Sequence, residues 1–198
     1  MPGPADLAAA RDRTIPDVLP GPEDPALQVL FCGINPGLVS AATGHHFARP
    51  GNRFWPVLHA SEFTPRRLRP DEQYLLPSLG LAITNIVPRA TARADELTKA
   101  ELVAGGARLR DLVRDLRPVA LGVVGITAYR VAFAESRAAV GRQATLGATV
   151  VWALPNPSGL NAHWSLAAMV AEFARFRLAV AELAHRQTEP TPRRRPRS

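Results

Sequence analysis

Two segments of this 198-residue chain combine side chains and spacing in ways that suit chemistry. The first is GINPGLVSAATGHHFARPGNRFW, residues 33–55. Its Asn35-Pro36-Gly37 is first of all a tight turn, since Pro fixes φ and Gly accepts unusual dihedrals. Beyond the turn, a loop of small residues, Ser40 to Gly44, leads to His45, His46 and Phe47. Small residues let backbone approach a ligand closely, and a lone aromatic such as Phe47 can stack on a planar one. The second segment is LPNPSGL, residues 154–160, again a Pro/Gly turn at minimum. Its Leu160 is an apolar side chain at the tip of a polar loop, the kind of wedge that DNA-distorting proteins push into a base stack.

Acids and histidines supply further candidates. Asp95 and Glu96 stand just before a helix that starts near Thr98, where an acid ordinarily caps the helix or complements its dipole. His45 and His46 read as surface or phosphate-contacting groups. Adjacent histidines lack the i, i+4 spacing of a helical zinc site, and no third ligand is apparent, so no metal is expected. Neither a Gly-Lys-Ser/Thr phosphate loop nor a G-x-G-x-x-G fingerprint comes after the first strand, which argues against a small nucleotide-binding domain.

The elements that must position these residues are legible. Four apolar runs, 26–34, 81–87, 119–125 and 148–155, are continuous rather than alternating, as for strands covered on both faces. Between them lie helical stretches: 52–60 with Asn52 as a cap, 98–118 with a Thr98/Glu101 capping box, 126–136, and 163–184. Strand alternating with helix predicts a three-layer α/β/α sandwich around a mostly parallel sheet. In such sheets ligands bind beyond the carboxyl ends of the strands, so the loops after 34, 87, 125 and 155 are the place to look. The chain divides into a flexible or loosely draped N-terminal arm (1–25), one domain (26–187) and a disordered basic tail (188–198).

Composition narrows the classes. A 46% hydrophobic content suits one packed domain, no apolar run is long enough to cross a bilayer, and no secretory signal pattern opens the chain. Cys32, the sole cysteine, excludes an internal disulfide and reads as a buried, inert thiol. A cytoplasmic, nucleoid-associated protein of bacterial type is expected, and a monomer. The net charge of +7 and pI near 11 invite a nucleic-acid partner. The tail TPRRRPRS alone holds four arginines, however, and Lys99 is the only lysine, so part of this basicity is local and compositional.

Taken together, GINPGL…TG…FARPGNRFW, ITNIVPRAT, the TKAEL…GG helix and LPNPSGL resemble the mismatch-specific uracil-DNA glycosylases and their relatives, the thymine-DNA glycosylases, over roughly residues 28–180. The resemblance implies a uracil-glycosylase fold without cofactor or metal. It implies hydrolysis of the N-glycosidic bond of uracil in double-stranded DNA at G:U-type mismatches, initiating base excision repair. Asn35 would place the attacking water. An amide orients water but takes no proton near neutral pH, so a slow, tolerant enzyme is implied. Backbone around Ile34, Ser40 and Phe47 would read the base edge, and Phe47 would stack on the base. Leu160, with Ser158 and Gly159, would fill the space of the flipped nucleotide and contact the orphaned guanine. Asp95, where the bacterial relatives carry an amide, would supply the base or charge that Asn35 lacks. The chain departs from the bacterial pattern after Leu160, where Asn161 and His163 stand in a stretch that elsewhere holds an arginine. Rival readings are a glycosylase of broader base range and a protein that grips damaged bases or abasic sites without cutting.

Overall fold

The computed structural model describes residues 1–159, 161 and 163–188. Four parallel strands, β1 (Val29–Gly33), β2 (Leu81–Asn85), β3 (Ala120–Val124) and β5 (Val150–Leu154), are joined by β4 (Gly141–Arg142), antiparallel to β5, in the order β2-β1-β3-β5-β4. All four parallel strands are buried along their length, as their unbroken apolar runs predict. β4 went unforeseen because two residues, one of them glycine, show no periodicity.

Alternation along β1 separates two cores. Val29 and Phe31 face the layer of α3 (Phe54–Ala60) and α6 (Leu166–Thr188), with Phe54, Phe173 and Phe176. Leu30 and Cys32 face the layer of α4 (Lys99–Leu116) and α5 (Ile126–Ala132), with Leu109, Val113 and Tyr129. Each large side chain so buried contributes about 1.5–3 kcal/mol. On α6, Met169, Phe173, Phe176 and Val180 recur at helical spacing and form the buried stripe. α4 starts as its capping box predicts: Thr98 Oγ1 accepts from Glu101 N (3.2 Å), and Glu101 Oε2 accepts from Thr98 N (2.8 Å). Gly105 and Gly106 let α4 approach closely, because a Cβ there would lie 2.2 Å from the Ile86 carbonyl oxygen and 2.1 Å from that of Ala132.

Two stretches depart from expectation. The loop of small residues after β1 contains a helix, α2 (Leu38–Thr43), which Gly44 ends in the left-handed conformation at φ 76°. The N-terminal arm is not loosely draped. It carries α1 (Pro4–Ala9), buries Ala10 and Ile15, and pairs Val18 with Ile83 on the edge strand β2 through bonds of 2.8 and 2.9 Å. Proline-rich composition excludes neither helix nor docking, since Pro4 occupies the first position of α1 and the rest of the arm docks by packing and edge pairing. Leu160 and residues 189–198, the arginine tail among them, lie outside the described residues.

Candidate functional site

A cleft of about 680 Å³ opens beyond the carboxyl ends of the strands. It is centred where the strand order reverses, with β2 on one side of β1 and β3 on the other. At this switch point Gly125 takes φ 130°, and a Cβ on it would meet the Ile34 side chain at 3.0 Å, so the glycine gives Ile34 its place in the wall. The structure brings Ile34, Asn35, Ser40, Phe47, Asp95 and Ser158 together on this one cleft. Gly159 is exposed beside it, and a Cβ there would lie 2.7 Å from the Gly51 carbonyl oxygen.

Asn35 is held in one orientation. Its Nδ2 donates to the Arg89 carbonyl (3.0 Å) and to Thr91 Oγ1 (2.7 Å), and the Thr91 hydroxyl donates onward to the Arg93 carbonyl (2.7 Å). A carbonyl only accepts, so the amide nitrogen must face it. That leaves Oδ1 as the acceptor, and among the described residues no protein donor engages it.

Phe47 has φ 55°, a left-handed conformation that costs a bulky residue about 1–3 kcal/mol and persists only when its surroundings enforce it. They do. Ala48 N donates to Ser40 Oγ (3.1 Å), Trp55 Nε1 donates to the His46 carbonyl (3.2 Å), and His46 N donates to Gln73 Oε1 (2.7 Å). The ring stacks on Phe54 with centroids 4.0 Å apart. Ser40 is buried and acts through its hydroxyl on the Phe47–Ala48 link, while its own carbonyl is taken by Gly44 N and His45 N.

His46 corrects an expectation: it is 2% exposed and is neither a surface nor a phosphate-contacting group. Its Nε2 lies 3.0 Å from the Pro16 carbonyl and must donate to it, leaving Nδ1 to accept from Asn85 Nδ2 (3.3 Å). Burial holds its pKa below the ordinary histidine value. The buried Asn85, from the end of β2, thereby becomes a polar group of the cleft wall. Sequence reading missed it, although ITNIV places it at a strand end.

Asp95 lies in a short 3-10 turn, Ala94–Glu96, exposed at the rim of the cleft and ion-paired with Arg93. It does not cap α4, a task that Thr98 and Glu101 share. The 156–164 loop is braced by Arg53, also missed from sequence. Its guanidinium donates to the carbonyls of Ser158 (3.0 Å), Asn161 (2.8 Å) and Trp164 (2.7 Å), and its N–H donates to Pro157 O (2.9 Å). Asn161 spends its amide inside the loop, donating to Asn156 O (2.9 Å) and accepting from His163 N (3.1 Å). It therefore does not stand free to replace an arginine; His163 is exposed.

Cys32 is fully buried, and burial pushes its thiol far above the ordinary range, as suits an inert core residue. Among the described residues no group of three or more His, Cys, Asp or Glu side chains is placed to hold a metal ion, and no helix is long and apolar enough to cross a membrane. Compared with known protein families, the chain matches the Uracil DNA glycosylase superfamily over residues 20–184.

Proposed function

Because the chain belongs to the uracil DNA glycosylase superfamily, whose members are DNA glycosylase hydrolases of base excision repair, we propose that it excises uracil from G:U mispairs in duplex DNA, as the mismatch-specific branch does. The observation that carries this reading is the fixed amide of Asn35, with Oδ1 left as an acceptor in a cleft roomy enough for a flipped pyrimidine.

In this reading uracil stacks on Phe47, whose ring is backed by Phe54, and Asn85 meets its polar edge. The bond between C1′ and N1 stretches. The sugar becomes cationic, and the base departs as an anion with the bonding electron pair. A water held by Oδ1 of Asn35 adds to C1′ and afterwards loses its proton to solvent. Because the amide takes no proton, the rate rests on the leaving group and on preorganised dipoles. Asp95 adds a negative charge on the side of the developing cation. Leu160, with Ser158 and Gly159, enters the duplex and faces the orphaned guanine, and Arg53 braces the Ser158 and Asn161 carbonyls.

The test is release of free uracil from a labelled G:U duplex under single-turnover conditions with enzyme in excess. Tight binding without release would overturn the hydrolytic reading and leave a damage-binding protein. Equal rates on G:U, A:U and single strands would overturn the mismatch preference. Leu160→Ala should slow excision from duplex more than from single strands; an unchanged duplex rate removes the wedge.

A further inference from the structure

The family match begins at residue 20, yet the segment before it reaches the cleft. Leu7 and Ile15 line it together with Asn35, Asn85 and Asp95. We propose that residues 7–17 form a size-selecting wall of the base pocket that restricts the bulk of the base admitted. The proposal rests on the glycosylase reading above and concerns the same site.

The first support is that the wall is fixed. Asp12 N donates to Ala90 O (3.0 Å) and Ala90 N to Arg13 O (2.8 Å), so the segment pairs with the very loop that holds the Asn35 amide. Arg89 bonds Asp12 (2.8 Å), Arg11 bonds Glu96 (2.6 Å), and Thr84 Oγ1 donates to Asp17 (2.8 Å). Each exposed pair is worth little alone, but together with the backbone bonds they fix one register. The second support is apolar packing. Ile15 is 6% exposed and packs with Ala10, Ala41 and Ala90, so its side chain has no room to swing aside for a larger ligand. The third is the Pro16 carbonyl, which fixes the His46 ring and through it the Asn85 amide. Wall and polar reader are therefore set by one stretch of backbone.

An apolar wall discriminates by contact, and removing a few of its carbons admits ligands that it previously excluded. The experiment compares wild type, Ile15→Ala, Leu7→Ala and Leu7→Phe on full-length protein. The substrates are G-paired duplexes carrying uracil, 5-hydroxymethyluracil or 3,N4-ethenocytosine. The expected result is a rise of at least about fivefold in the ratio of bulky-base to uracil excision for either alanine variant, and a fall in that ratio for Leu7→Phe. General destabilisation lowers all rates together and leaves the ratio alone. Unchanged ratios in folded variants, or the same direction for Leu7→Ala and Leu7→Phe, would overturn the wall. Binding of the same duplexes with non-hydrolysable 2′-fluoro nucleotides provides a second readout. If the wild type releases no base, the glycosylase reading fails, and the binding ratios alone still support or overturn the wall.

Discussion

At the scale of single residues, the proposed mechanism divides labour between a group that orients and a group that carries charge. Asn35 has both amide hydrogens committed, to the Arg89 carbonyl and Thr91, so only its oxygen is left for water. Asp95 is exposed at the rim and paired with Arg93. We expect Asn35→Ala to lose more than about a hundredfold in single-turnover rate, because positioning and proton-handling contributions commonly run from about a hundredfold to ten-thousandfold. Asp95→Ala should lose about tenfold or more, and Asp95→Asn, which keeps the shape and removes the charge, should lose as much. A wild-type rate in folded Asn35→Ala would reduce the Asn-Pro-Gly segment to a turn. Thr91→Val deprives the amide of one acceptor and should cost roughly fivefold in rate, in line with about 1 kcal/mol for a lost hydrogen bond, and should lower the melting temperature by a few degrees because the Arg93 carbonyl loses its donor as well.

At the scale of elements, two contacts decide what the loops can do. Arg53, at the start of α3, satisfies three carbonyls of the 156–164 loop with one guanidinium. Arg53→Met should therefore cost about 1–3 kcal/mol of stability and slow excision from duplex more than from single strands. Equal losses on both substrates would mean that the brace supports the fold but not the inserted tip. Gly106 poses a contest between helix propensity and packing. Replacing a mid-helix glycine with alanine gains about 1 kcal/mol in propensity. The new Cβ would lie 2.1 Å from the Ala132 carbonyl oxygen, which belongs to backbone and cannot swing away. Overpacking costs about 1–3 kcal/mol or more, so Gly106→Ala should lower the denaturation midpoint rather than raise it.

At the scale of the whole molecule, the N-terminal segment, β2 and the 46–47 link meet at His46, whose burial makes the fold sensitive to acid. The folded-state pKa is lowered, so the unfolded chain binds the extra proton first as pH falls below about 6.5. His46 therefore contributes stability that is fully present above that pH and is lost as pH falls toward the folded-state value. We expect the melting temperature to drop on acidification below about 6.5. His46→Gln should flatten that slope while lowering stability at neutral pH. An unchanged slope would assign the acid sensitivity to other groups.

By itself the sequence determined the parallel-rich α/β/α sandwich, since unbroken apolar runs alternating with capped amphipathic stretches permit little else. It also indicated the end of the sheet at which the cleft opens, because the segments that stand out in the sequence come directly after strands. The α2 helix was latent in LVSAATG, whose small, helix-compatible residues end in a glycine stop. What only tertiary structure decided are contacts between residues far apart in the chain. Asn35 meets Thr91 across 56 positions, Arg53 meets Trp164 across 111, and His46 meets Pro16 across 30. Propensity and periodicity are local quantities and carry no information about which distant carbonyl will satisfy a buried donor. The docking of the proline-rich arm has the same origin: side-chain packing and edge-strand pairing, neither of which leaves a periodic mark on the segment that is docked.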